Sequence, residues 1–457
     1  MTQATNAAPR QIGIRQRSLR RHCRLGRATE LVFILATGAT LVLGGQAQAQ
    51  SVWDGSSSLL WTDAANWSTN AVPGSGDAVE LSTLGISAQP VILGFDANAG
   101  TLNIATGQLR LQPNGGTPSS LTVANGVTMS GGNVQVLGNT SLTSGGFVAT
   151  GGLLQIDVGG THTGALSLTN ATVDLSGTQT GTVTLNAGST LNGGTTSIGN
   201  LVVTGAATLS AKAGETLSQT GSLNLVGGAL TIGSATNNGL VNLRVNGAQL
   251  STGDTINVAG GTLQNHNSGA LNQLLADIAS TTLQSGTFLD INGLDTGINV
   301  LGGAGTVTTS TAAARVLTLE GTSTFSGVIE DGAGTINLMR DSVGMASSGT
   351  GTTTTLTGAN TYTGTTTVNQ GTLAVTGGGT LASTNLTTGT SGTFRTDGGA
   401  LLTGTTVANA GIFNLTGAEA ITSVNGTGAV SLNTAGDLTV SDDSTIGTLT
   451  GSGTANV

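Results

Sequence analysis

The sequence predicts an all-β chain wound as a right-handed parallel β-helix, with a tryptophan-bearing cap at its N-terminal end and one short helical insertion. Three observations carry this. A strand-period apolar pattern recurs behind glycine, its copies are spaced near-evenly, and the composition excludes the other compact classes. Aromatic residues make up 2% and charged residues 8% of the 457, where an ordinary globular domain carries about 25% charged. Glycine (75 residues) fills much of the deficit, yet 37% of the chain is hydrophobic and only five residues are proline, so there is apolar surface to bury.

Residues 1–49 read as a signal peptide. Seven of the 13 Lys and Arg residues lie between Arg10 and Arg27, the apolar run "LVFILATGATLVLGG" follows, and "QAQAQ" offers small residues at Ala47 and Ala49. The run is short for a transmembrane span, so a cleaved signal is preferred to an uncleaved anchor. "SLRR" at Ser18 to Arg21 hints at twin-arginine export, but without the rest of that motif ordinary secretory export is the expectation. Beyond the leader, six basic residues face 21 acidic ones, a net charge of −15. Such a chain has nothing to hold a nucleic acid or an anionic membrane surface. The single cysteine, Cys23, lies inside the leader, so no disulfide is expected in the exported chain.

Residues 50–95 hold Trp53, Trp61 and Trp67, every tryptophan of the chain. A solenoid exposes its core and an unpaired strand edge at each end, and bulky side chains are needed there to cover both. The cap reading is therefore preferred to a sugar-stacking platform, which would need exposed indole faces.

From residue 96 to 312, and again from 313 to 457, one pattern recurs: glycine, a small residue, then two apolar residues separated by a polar one. It appears as "GTLNI" at Gly100, "GALSL" at Gly164, "GTVTL" at Gly181, "GSLNL" at Gly221 and "GALTI" at Gly228, then as "GTINL" at Gly334, "GTLAV" at Gly371, "GAVSL" at Gly428 and "GDLTV" at Gly436. Alternation of that kind is the period of a strand with one buried face, and glycine marks the turn before it. Gly164 to Gly181 is 17 residues, Gly181 to Gly221 is 40 and Gly334 to Gly371 is 37, which reads as one or two units of about 17 to 20. A sandwich would vary its loops and use more aromatics, whereas a coil of stacked parallel strands needs this spacing and a narrow core of Val, Leu and Ile. Stacked Asn and Thr are expected at the turns.

One segment departs from the pattern. In "NHNSGALNQLLADIASTTL", Leu271, Leu274, Leu275 and Ile278 follow a helical period, with Asn267 and Ser268 as caps, predicting a short helix leaving the coil over 268–280. It is read as packing on the solenoid, with a binding protrusion as the alternative.

The clearest internal repeat lies later. "LTLEGTSTFSGVIEDGAGTINL" (317–338) aligns without gaps, at an offset of 37, on "TTLTGANTYTGTTTVNQGTLAV" (354–375), with seven of 22 positions identical and Phe325 on Tyr362. The second copy closely resembles the autotransporter-associated β-strand repeat of bacterial passenger domains, and "FSGVI" at Phe325 to Ile329 resembles the segment that commonly precedes it. The intervening "MRDSVGMASSGTGTTT" departs from that family, which usually runs straight through a lysine-containing strand. "WTDAANWSTNAVPGSGDAVEL" also resembles a segment at the start of such passengers. The resemblance implies a secreted or surface-displayed passenger, at the bacterial outer membrane or outside the cell, acting as an adhesin or scaffold toward a host or bacterial surface receptor or glycan. It also implies a membrane β-barrel translocator. No barrel pattern precedes the final "GSGTANV", so the sequence is expected to be a fragment of a longer product, with a freestanding passenger released by another route as the alternative.

Catalytic motifs are sparse. His162 and His266, the histidines outside the leader, are far apart and read as solvated or turn residues. Glu330-Asp331 and Asp442-Asp443 are adjacent acids, and neighbours on a strand point to opposite faces. A weak calcium site at Asp442-Asp443 would need both in a turn. Arg110, Lys212, Arg244, Arg315, Arg340 and Arg395 are scattered. No catalytic, cofactor-binding or metal-ligating set is expected, and no cofactor. The alternative function is a polysaccharide-active β-helical lyase or glycoside hydrolase. A cleft lined by acids from neighbouring rungs would favour it, and an uninterrupted Thr/Asn surface the adhesin.

Overall fold

The alternation written in the sequence becomes burial in space. In Leu166–Leu168 and Val183–Leu185 the outer two residues are buried and the middle one is partly exposed. These two strands pair in parallel, residue for residue, so like stacks on like. A computed structural model describes residues 50–82, 90–243, 253–265, 275–341, 351–401 and 404–457. It is a parallel β-solenoid with 54% strand and 2% helix, and Gln48–Val457 form one compact unit. Residues 1–49, read above as a leader, lie outside the described residues.

Each turn runs through three faces in a fixed order. The first carries Asp96–Ala99, Ser119–Val123, Thr140–Ser144, Thr161–Thr163 and Thr178–Thr180. The second runs from Ser51–Val52 through Ala78–Leu81 and Thr101–Ile104 to Leu223–Leu225 and is taken up again by Thr296–Ile298, Arg315–Leu319 and Ile336–Arg340. The third starts at Val91–Leu93 and Gln108–Gln112 and continues to Thr445–Gly451. Apolar residues from all three faces meet in one core reaching from Trp53 to Leu438.

Successive turns are less uniform than the sequence spacing implies. Leu166 and Val183 are 17 residues apart, Leu201 and Leu223 are 22, and Ser323 and Thr354 are 31. The last of these spans "MRDSVGMASSGTGTTT", of which 342–350 lie outside the described residues. The 37-residue repeat is not two turns. Leu317 lies on the second face, paired with Leu338, whereas its sequence counterpart Thr354 lies on the third, paired with Leu373. The repeat advances the chain by one turn and one face, so its unit is strand-plus-corner. Phe325 and Tyr362 are both fully buried but sit in different places, Phe325 stacking on Leu356.

In the C-terminal third the second and third faces merge. Thr366–Val375, Asn385–Thr396 and Ser423–Leu432 are single strands that turn the corner, with register shifts between Val368 and Gln370 and between Gly426 and Ala429. Side-chain ladders form at the corners as expected. Asn186 donates through Nδ2 to the Leu168 carbonyl at 2.9 Å and accepts through Oδ1 from Thr204 Oγ1 at 2.6 Å, joining three turns.

The cap closes the starting end. Trp53, Trp61 and Trp67 are at most 1% exposed. Their rings stand edge to face, with centroids 5.0 Å apart for Trp53–Trp67 and 4.7 Å for Trp61–Trp67. Trp67 Nε1 donates to the Trp61 carbonyl at 2.9 Å. The Trp53 amide bonds the Glu80 carbonyl and the Trp61 amide the Val91 carbonyl, both at 3.0 Å, so the segment covers two faces at once. A 3-10 turn, Ala64–Asn66, is held by Asp63, whose carboxylate accepts from Ser58 Oγ and the Ala65 amide. Those hydrogen bonds, the serine's first, keep its carboxyl below the usual range.

The short helical insertion is present, in the packed form preferred above to a protrusion. Among the described residues one helical turn, 275–277, remains; Leu271, Leu274, Asn267 and Ser268 lie outside them. It does not leave the coil. Leu275 and Ile278 are buried in the core, and the Leu275 and Ile278 carbonyls accept from the Asn299 amide and Nδ2 at 2.9 and 3.0 Å. The turn thus occupies the place of a strand on the second face.

Candidate functional site

The chemistry-bearing residues are best located by asking which strand face each occupies. His162 follows the period-2 rule into the interior. It stacks between Leu142 and Gln179 and is fully buried, so the solvated reading is corrected. Gln179 Oε1 can only accept, so His162 Nδ1 donates to it at 2.6 Å, and Nε2 accepts from Ser144 Oγ at 3.0 Å. Burial lowers the imidazole's pKa and keeps it neutral. The Ser144–His162–Gln179 chain has the order of an activated nucleophile, yet all three are at most 6% exposed and face the core. It is an interior polar ladder across three turns. His266 and Arg244 lie outside the described residues.

The paired acids are not couples. Asp331 accepts from the Ile336 amide, the Thr363 amide and Thr363 Oγ1, clamping a corner. Asp442 and Asp443 are exposed, and among the described residues no three acidic, histidine or cysteine side chains gather to hold a metal. Lys212 pairs with Asp174 at 2.5 Å. The tryptophans expose no indole face for a sugar.

What the sequence reading missed is a cleft of about 330 Å³ on the second face, lined by Asp295, Thr296, Gly297, Thr318, Glu320, Met339 and Asp341. Register builds it. Gly297, Thr318 and Met339 form one outward column, and Gly297, lacking a side chain, leaves the trough open. Asp295 precedes Thr296–Ile298, Glu320 follows Arg315–Leu319 and Asp341 follows Ile336–Arg340, so three consecutive turns contribute one carboxylate each. Asp295 Oδ1 accepts from the Val316 amide at 2.9 Å, and Asp341 Oδ2 from Asn369 Nδ2 at 2.9 Å. Glu320 is only 7% exposed. Its pKa is pushed up to about 7, first by burial and then by the neighbouring Asp277 and Asp341 carboxylates, with Arg340 opposing. Arg340 itself is fully buried, donating through Nη1 to the Leu319 and Asp341 carbonyls and through Nη2 to Thr352. Glu320 and Asp341 stand one rung apart, 21 residues, and that step was the signal that would have found the pair; Asp295 lies at the other end of its strand, in register with Val316.

Compared with protein-family models, curated proteins and solved structures, the chain matches none. The likeness of residues 317–375 to passenger repeats therefore rests on those residues alone.

Proposed function

We propose that this chain is an exported, autotransporter-like passenger, displayed at the bacterial surface or released from it, where it acts as an adhesin or structural scaffold. One observation carries the reading: the outward column of the second face runs Glu80, Asn103, Thr128, Val148, Ser167, Thr184, Val202, Asn224 through eight turns. Seven of the eight are uncharged and none is aromatic or basic. Such a regular, neutral surface suits broad contact with a receptor or glycan more than turnover at one point. A membrane β-barrel translocator is the implied export partner, and the leader-like residues 1–49 the export signal.

The second reading, a polysaccharide-active enzyme, is favoured by the cleft. Asp295, Glu320 and Asp341 come from neighbouring turns, and a carboxyl titrating near 7 suits a general acid. Against it stands Arg340, the basic group beside these acids, which is buried with its donors turned to carbonyls.

The test uses the full chain coupled to beads, scored for adherence to epithelial and bacterial cells, alongside assays of reducing-end and unsaturated-product release from neutral and acidic polysaccharides. Adherence without turnover is expected. Turnover that disappears in Asp295→Asn would overturn the reading in favour of the enzyme.

A further inference from the structure

We propose that the cleft between Asp295, Glu320, Met339 and Asp341 is a receptor for an organic monocation carried on an apolar stem, the arginine or lysine side chain of a partner protein. This deepens the binding function proposed above and rests on it.

The argument begins with Glu320. A carboxylate accepts up to about four hydrogen bonds, and burying one without a partner is costly. Glu320 is 93% buried, being 7% exposed, and receives no hydrogen bond from the described residues. Its two companions in the cleft are served, Asp295 by the Val316 amide and Asp341 by Asn369. Its oxygens open on the cleft, where the donors of a ligand can reach them. The obvious internal candidate, Arg340, is turned away into the core.

The spacing of the acids selects the kind of cation. A divalent metal needs several oxygens within about 2.6 Å of one point, and no three acids of the described residues gather that closely. A guanidinium spreads five donors over a planar fork, and an ammonium on a flexible stem has three. Either can reach carboxylates that are separate from one another. The wall supplies the rest of the fit: Met339 offers an adaptable apolar surface for a methylene stem. The net charge of −15 beyond the leader attracts cations from a distance.

The groups facing Glu320 are Asp277, Asp341 and Arg340, with Asp295 lining the same cleft. A bound cation favours the ionised carboxylate, so binding weakens as pH falls below about 7 and releases a proton when it occurs near that value.

The experiment reads the methionine methyl resonances of the full chain by NMR after ¹³C-methyl labelling. Met339 reports the cleft and Met129, fully buried elsewhere, reports the fold. The probes are acetyl-Gly-Arg-Gly-amide, its citrulline counterpart, calcium and spermidine. The proposal expects the arginine peptide to shift Met339 and leave Met129 in place, with the citrulline peptide inert. Affinity should fall at least tenfold in Glu320→Gln and at pH 5.5. Asp295→Asn, expected to weaken binding less, guards against a variant that misfolds, since an unchanged Met129 signal certifies the fold. The proposal is overturned by an unmoved Met339 at millimolar peptide, by equal shifts from citrulline, or by a stronger response to calcium. Tighter binding of spermidine than of the peptide also overturns it, assigning the cleft to free polyamines. None of these outcomes alters bead adherence or polysaccharide turnover, so failure here is separable from failure of the proposed function.

Discussion

At the scale of single residues, Glu320 links the cleft to stability. Its folded pKa of about 7 lies above the ordinary 4.5. A raised carboxyl means that the folded chain binds the proton more tightly than the unfolded one. Its stabilising contribution is complete below about pH 4.5 and is lost as pH rises through 7. Glu320→Gln removes that loss. In urea unfolding at pH 8.5 the variant should be more stable than the parent by about 2 kcal/mol, a figure discounted for the water that reaches the cleft, and the two should converge at pH 4.5. A variant no more stable than the parent at pH 8.5 would show that the carboxylate is solvated in place. His162 tilts the opposite way. Its lowered pKa makes stability fall as pH drops below 6.5, because the unfolded imidazole takes up the proton first.

At the scale of strands and corners, a column of glycines is tightly constrained. A Cβ on Gly327 would lie 1.9 Å from the Gly305 carbonyl oxygen, and one on Gly358 would lie 1.9 Å from that of Gly327. Backbone oxygen cannot yield there without breaking the pairing that follows each corner, so Gly327→Ala should cost more than about 2 kcal/mol. Gly146, which meets nothing within 4 Å, should accept alanine with a change below about 0.5 kcal/mol. Comparing their denaturation midpoints checks both. These corners also show what the sequence could convey. Period-2 alternation announces which side of a strand is buried, because inward and outward are fixed by the backbone itself; this located Leu166, Val183 and Leu373, and applied to "THT" it would have placed His162 inside. Which corner stacks on which depends on the length of every intervening turn. Turns of 17 to 31 residues scramble that count, so although the 21-residue step from Glu320 to Asp341 was there to be read, the place of Asp295 in the same cleft was not, and the 37-residue repeat looked like two turns.

At the scale of the whole solenoid, stability is a sum of neighbour terms. Inner strands such as Thr140–Ser144, Leu166–Leu168 and Thr190–Gly193 pair with the turn before and the turn after, the core is continuous across the turns, and ion pairing adds little, Lys212–Asp174 being the salt bridge among the described residues. All three tryptophans lie at one end, where they cover the first described strands, while the buried phenylalanines and Tyr362 are spread along the core.

The unequal turns have a mechanical meaning. A chain pulled from its two ends should surrender one turn at a time, because parallel strands stacked only on their neighbours peel rather than shear together. Each event would lengthen the tether by the contour of that turn, about 60 Å for one of 17 residues and about 105 Å for one of 31. Force spectroscopy on the full chain should therefore record a sawtooth of unevenly spaced steps whose lengths follow the strand register, and a single all-at-once rupture would contradict it.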